Sequence, residues 1–473
     1  MASRKVLMLG AGFVTRPTLD ILAEAGISVT VGTASPDPHC CFYKPHTSPT
    51  NTLQLQACRT LSAAQSLSAG VKNASAISLD VNSDKALDAE IAKHDLVISL
   101  IPYTFHASVI KSAIRQKKNV VTTSYVSPAM MELDQQCKDA GITVMNEIGL
   151  DPGIDHLYAV KTIEEVHKAG GKITSFLSYC GGLPAPESSG NPLGYKFSWS
   201  PRGVLLALRN PASFYQDGKV VDVAGPDLMA TAKPYHIYPG FAFVAYPNRD
   251  STGYKERYNI PEAQTIIRGT LRYVGFPEFV KVLVDIGFLK DEEQSYCKEA
   301  IPWKEATQKI VGASSSDEKS LIDAICAKTT FPDKGQRDHI VAGLRWIGLF
   351  SSEKIIPRGN PLDTLCATLE KKMQYGEGER DLVMLQHKFE VELKDGTKQT
   401  RLSTLCDYGS TEPGGYSAMA KLVGVPCAVA VKQVLDGTLS HKGVLAPMSS
   451  KINDPLIKEL KKYGISCKEE IVE

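Results

Sequence analysis

The sequence predicts an α/β protein with a parallel-sheet domain, a second sheet domain and a small helical one, on three observations. Over residues 1–150, apolar runs of strand length alternate with helical patterns, the mark of a parallel sheet with crossover helices. The earliest run, residues 6–9, breaks at Gly10 and Gly12 and resumes as a helical pattern of Val14, Leu19, Ile21, Leu22 and Ala25 that stops at Gly26. Beyond Asp151 the strand patterns change character, and from Pro277 to about Phe350 one helical pattern follows another.

In the first domain, further strands are expected at 28–31, 76–79, 95–100, 119–122 and 142–145, with helices between them at 85–94 and 105–116. A strand that breaks at two glycines and re-forms as a helix makes a phosphate pocket. The backbone can pass close to a pyrophosphate, and free N–H groups at the helix start point at the anion. The third glycine of the dinucleotide fingerprint is replaced by Thr15, and Pro17 is tolerable in a first helical turn. Ligands in such sheets sit outside the carboxyl ends of the strands. The tips there are Gly10 to Val14, Asp80, Ile101 to Tyr103, Thr123 to Tyr125 and Asn146 to Asp151, which are small, polar or aromatic where the strands are aliphatic.

Residues 32–56 interrupt this pattern, with Pro36, Pro38, Pro45 and Pro49 and no apolar period. A loop of that length is unusual in a compact unit. Joining Val31 to Ala57 gives an ordinary strand and turn, so 32–56 reads as an insertion, such as intron read-through, whose deletion preserves or raises soluble activity. His39, Cys40, Cys41 and His46 have poor spacing for zinc, and a loop is the preferred reading. The end of strand two selects the cofactor: an acid suits the ribose of NAD and an arginine the 2′-phosphate of NADP. No acid stands there, and Arg59 with Thr60 follows the turn, which favours NADP.

The 473 residues carry 53 basic and 52 acidic side chains, net +1, which argues against a nucleic-acid or membrane-surface partner. No signal peptide or bilayer-length apolar run is evident, and the eleven cysteines form no paired framework, so a cytoplasmic protein with reduced thiols is expected. No metal site is expected.

In the second half, Asp151-Pro152-Gly153 can open a helix, with Asp151 as N-cap and Pro152 in the first position, and this weighs evenly against a site role for Asp151. Strands at 172–180, 241–246, 265–273, 382–391 and 399–407 suggest a mixed or antiparallel sheet, with polar-aromatic loops at 181–187 and 191–200. Helices are expected at 278–289, 303–311, 318–326 and 337–349, and the long apolar helix of 414–435 is expected to fit back on the first domain. Arg202, Arg249 and Arg272 lie in or beside these loops and strand ends. Together they hint at a substrate with more than one carboxylate. Tyr103, Asp151, His156 and Cys180 are conceivable proton carriers, although Cys180 reads more readily as a buried thiol and His156 equally as a structural histidine. No nucleophile motif appears, and hydride transfer from nicotinamide needs none.

Several stretches resemble the fungal saccharopine reductases: Gly10-Ala-Gly-Phe-Val14, Ile101-Pro-Tyr-Thr-Phe-His106, Asn146 through His156, Ser178 through Glu187, and Tyr195-Lys-Phe-Ser-Trp-Ser200. The resemblance covers nearly the whole chain except 32–56. It implies NADP-dependent, glutamate-forming saccharopine dehydrogenation on the α-aminoadipate route to lysine, in its penultimate step. There α-aminoadipate semialdehyde and glutamate condense to an imine, which NADPH reduces to saccharopine.

The implied fold is a variant Rossmann domain (1–150) plus an α/β substrate-binding and dimerisation domain (151–276 and 351–413). A small all-α subdomain (277–350) and a C-terminal segment (414–473) complete it, and the protein is expected to be a homodimer. By the same resemblance Gly10, Ala11, Gly12, Phe13, Val14, Cys58, Arg59 and Thr60 hold NADP(H). So do Leu79, Asp80, Leu100, Pro102, Ser124, Leu150, Asp151, Pro152 and Trp199. Thr123, Ser124, Arg249, Thr270, Leu271 and Arg272 match substrate-binding positions. For the proton, a bound water, Asp151 or Cys180 stay open, and the last two are the catalytic candidates. Two rival readings are the same fold acting on a related carboxylated or polyamine imine, and a non-catalytic NADP-sensing regulator.

Overall fold

A computed structural model describes residues 4–34 and 61–472. The chain divides into two compact units, Met1–Lys168 with Tyr416–Cys467, and Ala169–Gly415 with Lys468–Glu473. The first unit opens with β1 (Lys5–Leu9), α1 (Arg16–Glu24), β2 (Ser28–Ala34), α2 (Leu61–Ser68), β3 (Ala74–Leu79) and α3 (Asp84–Ile91). It continues through β4 (Leu96–Ser99), α4 (His106–Gln116), β5 (Asn119–Thr122), α5 (Pro128–Met131), α6 (Asp134–Asp139), β6 (Thr143–Met145) and α7 (Ile154–Lys168). The second unit begins with β7 (Lys172–Pro184), α8 (Pro201–Ala207), β8 (Ala212–Gln216), β9 (Lys219–Val223) and β10 (Lys233–Pro234). Next come β11 (Phe243–Pro247), α9 (Tyr254–Arg257), β12 (Thr265–Tyr273), α10 (Phe276–Asp285), α11 (Trp303–Val311) and α12 (Glu318–Lys328). It ends with α13 (Lys334–Ile347), α14 (Pro361–Lys372), β13 (Asp381–Glu392) and β14 (Lys398–Tyr408). The chain then returns to the first unit as α15 (Ala418–Asp436), β15 (Gly443–Leu445) and α16 (Ser450–Leu460), and its last strand, β16 (Lys468–Val472), belongs to the second.

In the first unit the sheet order is β15-β6-β5-β4-β1-β2-β3, every pair parallel. Without β15 this is the 3-2-1-4-5-6 order of a dinucleotide-binding fold. Strand order reverses beside β1, which pairs with β2 on one side and β4 on the other. Both faces are covered, which is why 6–9 reads as an unbroken apolar run. Leu7 and Leu9 pack with Leu87, Ile91, Val109 and Ile110 of α3 and α4, while Val6 and Met8, of opposite parity, are equally buried. By length and composition α15 could cross a bilayer, contrary to the expectation that no run here qualifies. Most of it is buried inside the unit, however, and it packs along α1.

Two expected boundaries differ. Helix α7 stays with the first unit, where Ser450 N–H of α16 donates to Glu164 at 3.1 Å, so that unit runs past 150. Strand β2 continues through Gly32, Thr33 and Ala34, because Gly32 pairs with Leu9 and its carbonyl accepts from Gly10 N–H at 2.9 Å. Residues 32–34 are therefore strand in this structure. The rest of 32–56, with His39, Cys40, Cys41 and His46, lies outside the described residues, as do Cys58, Arg59 and Thr60.

The second sheet runs β10-β11-β12-β7-β13-β14-β16, with β8 added to β12 and β9 to β8. It is mixed: β12 pairs with β7 in parallel and the other pairs are antiparallel. Helices α10 to α14 share one core with α8 and with Tyr246 of β11 through Phe279, Leu283, Trp303 and Leu344. They form a layer of the second unit rather than a separate body.

Candidate functional site

In the first unit, the residues after β1, β3, β4, β5 and β6 gather at the carboxyl edge of the parallel sheet. Gly10 has φ +119°, and a Cβ added there would lie 2.8 Å from the Leu100 carbonyl oxygen, so the turns after β1 and β4 approach as closely as backbone allows. At Gly12 an added Cβ would meet nothing within 4 Å among the described residues. Ala11, Phe13 and Val14 complete this half-buried turn. Thr15, in the third-glycine position, is buried, and its hydroxyl donates to the Gly12 carbonyl at 2.8 Å, closing the turn from within. Leu79 is buried at the end of β3, and the exposed Asp80 accepts from Asn82 N–H at 3.0 Å. Pro102 and Tyr103 are exposed beyond β4.

Thr123 and Ser124 follow β5. Ser124 N–H donates to Thr122 Oγ1 at 3.2 Å, and its carbonyl accepts from Glu147 N–H at 3.1 Å. Its hydroxyl lies 2.8 Å from Nε2 of the buried His106, whose Nδ1 lies 2.8 Å from Ser99 Oγ. Burial pushes His106 down to about 4, so the ring is neutral. Asp151 is not a helix cap: α7 starts at Ile154, and the Asp151 carboxylate instead accepts from Tyr125 O–H at 2.6 Å. Leu150 and Pro152 beside it are buried. His156 is enclosed between two carboxylates, 2.8 Å from Glu147 and 3.4 Å from Asp155, all three fully buried. Glu147 also accepts from Val126 N–H at 2.9 Å and so holds the Ser124–Tyr125 loop.

In the second unit, Tyr246, Thr270 and Cys180 stand in register across β11, β12 and β7, and side chains in register share a face. Arg272, two residues from Thr270, shares it. Its guanidinium stacks on the Tyr195 ring at 4.8 Å and the Phe276 ring at 5.3 Å. Arg272 is 6% exposed; its Nη1 donates to the Leu271 carbonyl at 2.7 Å, and its Nε has no partner. Among the described residues its contacts are this carbonyl and the two rings, with no ion pair to a carboxylate. Leu271 points to the opposite face, where it is fully buried with Tyr179, Phe243 and Met384, so only its backbone serves the Arg272 side. Arg249 is exposed just beyond β11 with φ +58°. Arg202 is spent on Asp363 at 2.6 Å. Trp199, ahead of α8, packs against its first turn, where a Cβ on Gly203 would come within 2.9 Å of the indole. Tyr195 stacks beneath Arg272, and Tyr246 stands in register with Thr270. Both hydroxyls are pushed up by burial, partly offset by the Arg272 charge.

These residues fit a nicotinamide dinucleotide phosphate. A pyrophosphate needs backbone approach and open room, and Gly12 supplies open room beside a turn already closed by Thr15.

Two family models match: the saccharopine dehydrogenase NADP binding domain over residues 54–145 and the saccharopine dehydrogenase C-terminal domain over residues 149–465. The chain is 73% identical to the saccharopine dehydrogenase [NADP(+), L-glutamate-forming] of Pyricularia oryzae, with all of both chains covered. It is 59% identical to that of Saccharomyces cerevisiae over 99% of each. It is 38% identical to the mitochondrial alpha-aminoadipic semialdehyde synthase of Bos taurus, matching 98% of this chain but 47% of that longer protein. The solved apo saccharopine dehydrogenase (L-Glu forming) from Saccharomyces cerevisiae superposes with a TM-score of 0.86, covering 100% of each chain. On this agreement along its length, the chain belongs to the saccharopine dehydrogenase family.

Proposed function

We propose that this chain is an NADP-dependent, L-glutamate-forming saccharopine dehydrogenase, reducing the imine of α-aminoadipate semialdehyde and glutamate to saccharopine, and reversibly oxidising saccharopine. The observation that carries this is Arg272, a buried guanidinium without a carboxylate of its own among the described residues. An unpaired buried cation is costly, so a position that keeps one is built for an anionic ligand. A diamine substrate would call for carboxylates on this face instead.

Gly10 to Val14, Asp80, Pro102 and Leu150 to Pro152 hold the cofactor in this reading, with Arg59 and Thr60 on its 2′-phosphate and Trp199 as a further contact. NADPH, when bound, supplies the hydride. Thr123, Ser124, Arg249, Thr270 and Arg272 hold the substrate's carboxylates and amine, and Arg272 is aimed by the Tyr195 and Phe276 rings. For the proton the chain offers Asp151, hydrogen-bonded by Tyr125, and Cys180, on the face of Arg272. The enzyme works as a cytoplasmic homodimer in lysine formation.

Arg272→Leu tests this reading. The KM for one carboxylated substrate rises about 10- to 100-fold, the worth of a charged hydrogen-bond partner, while NADPH affinity stays unchanged. Unaltered KM values for both substrates would contradict it.

A further inference from the structure

His106 is a motif residue that the proposed chemistry leaves unused. It is fully buried at the start of α4, with hydroxyls at hydrogen-bond distance from both ring nitrogens: Ser99 Oγ and Ser124 Oγ, each at 2.8 Å. Ser99 is also fully buried, whereas Ser124 is partly exposed at the carboxyl edge of the sheet. The chain of three groups therefore ends inside the protein. It cannot carry protons through to solvent, and its use lies in orientation.

We infer that His106 is a positioning residue that sets the donor sense of the Ser124 hydroxyl toward an anionic ligand. This rests on Ser124 being a ligand-binding residue, as in the proposed function. The Ser124 backbone is already pinned by Thr122 and Glu147, so its hydroxyl is the remaining freedom. A neutral imidazole has one donor and one acceptor nitrogen. With the proton on Nε2, the ring donates to Ser124 Oγ and accepts from Ser99 O–H, leaving the Ser124 hydrogen for the ligand. With the proton on Nδ1, Ser124 must donate to the ring instead, and its hydrogen is consumed. Phosphate and carboxylate oxygens only accept, so binding selects the first arrangement, and Ser99 stabilises it by donating to Nδ1. The neutrality of the buried ring keeps the arrangement constant through neutral pH.

The test is a double-mutant cycle of His106→Phe and Ser124→Ala, read by NADPH fluorescence titration and by the glutamate KM. With Ser124 present, His106→Phe weakens at least one of these about 3- to 10-fold, the range of a single hydrogen bond. With Ser124→Ala, the same change has an effect under about twofold, because its route is gone. His106→Gln, whose amide can still donate to Ser124, recovers most of the loss. Ser99→Ala, which leaves the ring in place, reproduces the loss in part and carries the cycle if His106→Phe does not fold. An equal effect with and without Ser124, or no effect on either ligand, overturns the inference. Wild-type protein that binds NADPH yet does not turn over counts against the saccharopine reading alone, since the NADPH arm of the cycle still decides on His106.

Discussion

Gly10 and Gly12 look alike in the sequence and differ in what surrounds them. Alanine at Gly10 would take a φ of +119° and press 2.8 Å from the Leu100 oxygen, so Gly10→Ala costs about 1–3 kcal/mol of stability as well as cofactor affinity. Gly12→Ala meets no atom of the described residues within 4 Å; it should melt within about 2 °C of the wild type, as a small ΔΔG predicts, yet bind NADPH at least about tenfold more weakly. Thermal melts beside NADPH titrations check both, and normal NADPH affinity in Gly12→Ala would remove the turn from the cofactor site. His106 makes a prediction of another kind. Its folded value of about 4 lies below the ordinary 6.5, so the unfolded chain binds the extra proton between those values. The stability it permits is complete above about pH 6.5 and declines by about 3 kcal/mol as pH falls toward 4. His106→Phe should flatten that part of the melting-temperature profile. An unchanged acid slope would mean that the ring is not neutral in the fold. Asp151 shows where sequence reading stopped at this scale. Asp-Pro-Gly satisfies the helix-start rule locally, but Tyr125, distant in sequence, claims the carboxylate.

At the level of elements, the strands of the parallel sheet were legible because burial on both faces leaves apolar runs bounded by turns. The strands not foreseen, β8, β9, β10, β15 and β16, are only two to five residues long, and Val220 of β9 and Ile471 of β16 are exposed, so each carries too short an apolar run to stand out. The helix α14 also went unpredicted, although Asn360 caps it, its side chain accepting from Asp363 N–H at 2.8 Å. The most informative contact between elements is that of α15 with α1. A Cβ on Gly424 would come within 2.8 Å of the Val14 carbonyl oxygen, and Thr18 Oγ1 donates to the Gly424 carbonyl at 2.8 Å. Gly424→Ala should therefore push α15 away from the glycine turn, costing about 1–3 kcal/mol and lowering NADPH affinity although residue 424 is remote in sequence. Wild-type stability and affinity together would show that the contact has slack.

For the whole molecule, balanced charge and alternating patterns pointed to an α/β protein for small ligands, and the family comparison agrees along the full length. The unit boundaries were harder to read. They depend on which core a helix joins, as α7 does through Ser450 and Glu164, and periodicity carries no such information. The glycine turn belongs to one unit and the Arg272 face to the other. The measurement that bears most directly on the account is NADPH oxidation by the purified protein given α-aminoadipate semialdehyde and glutamate, with NADH in parallel. The account predicts rapid oxidation that requires both substrates and strongly prefers NADPH. A folded, NADPH-binding protein that stays silent with both substrates present would contradict it.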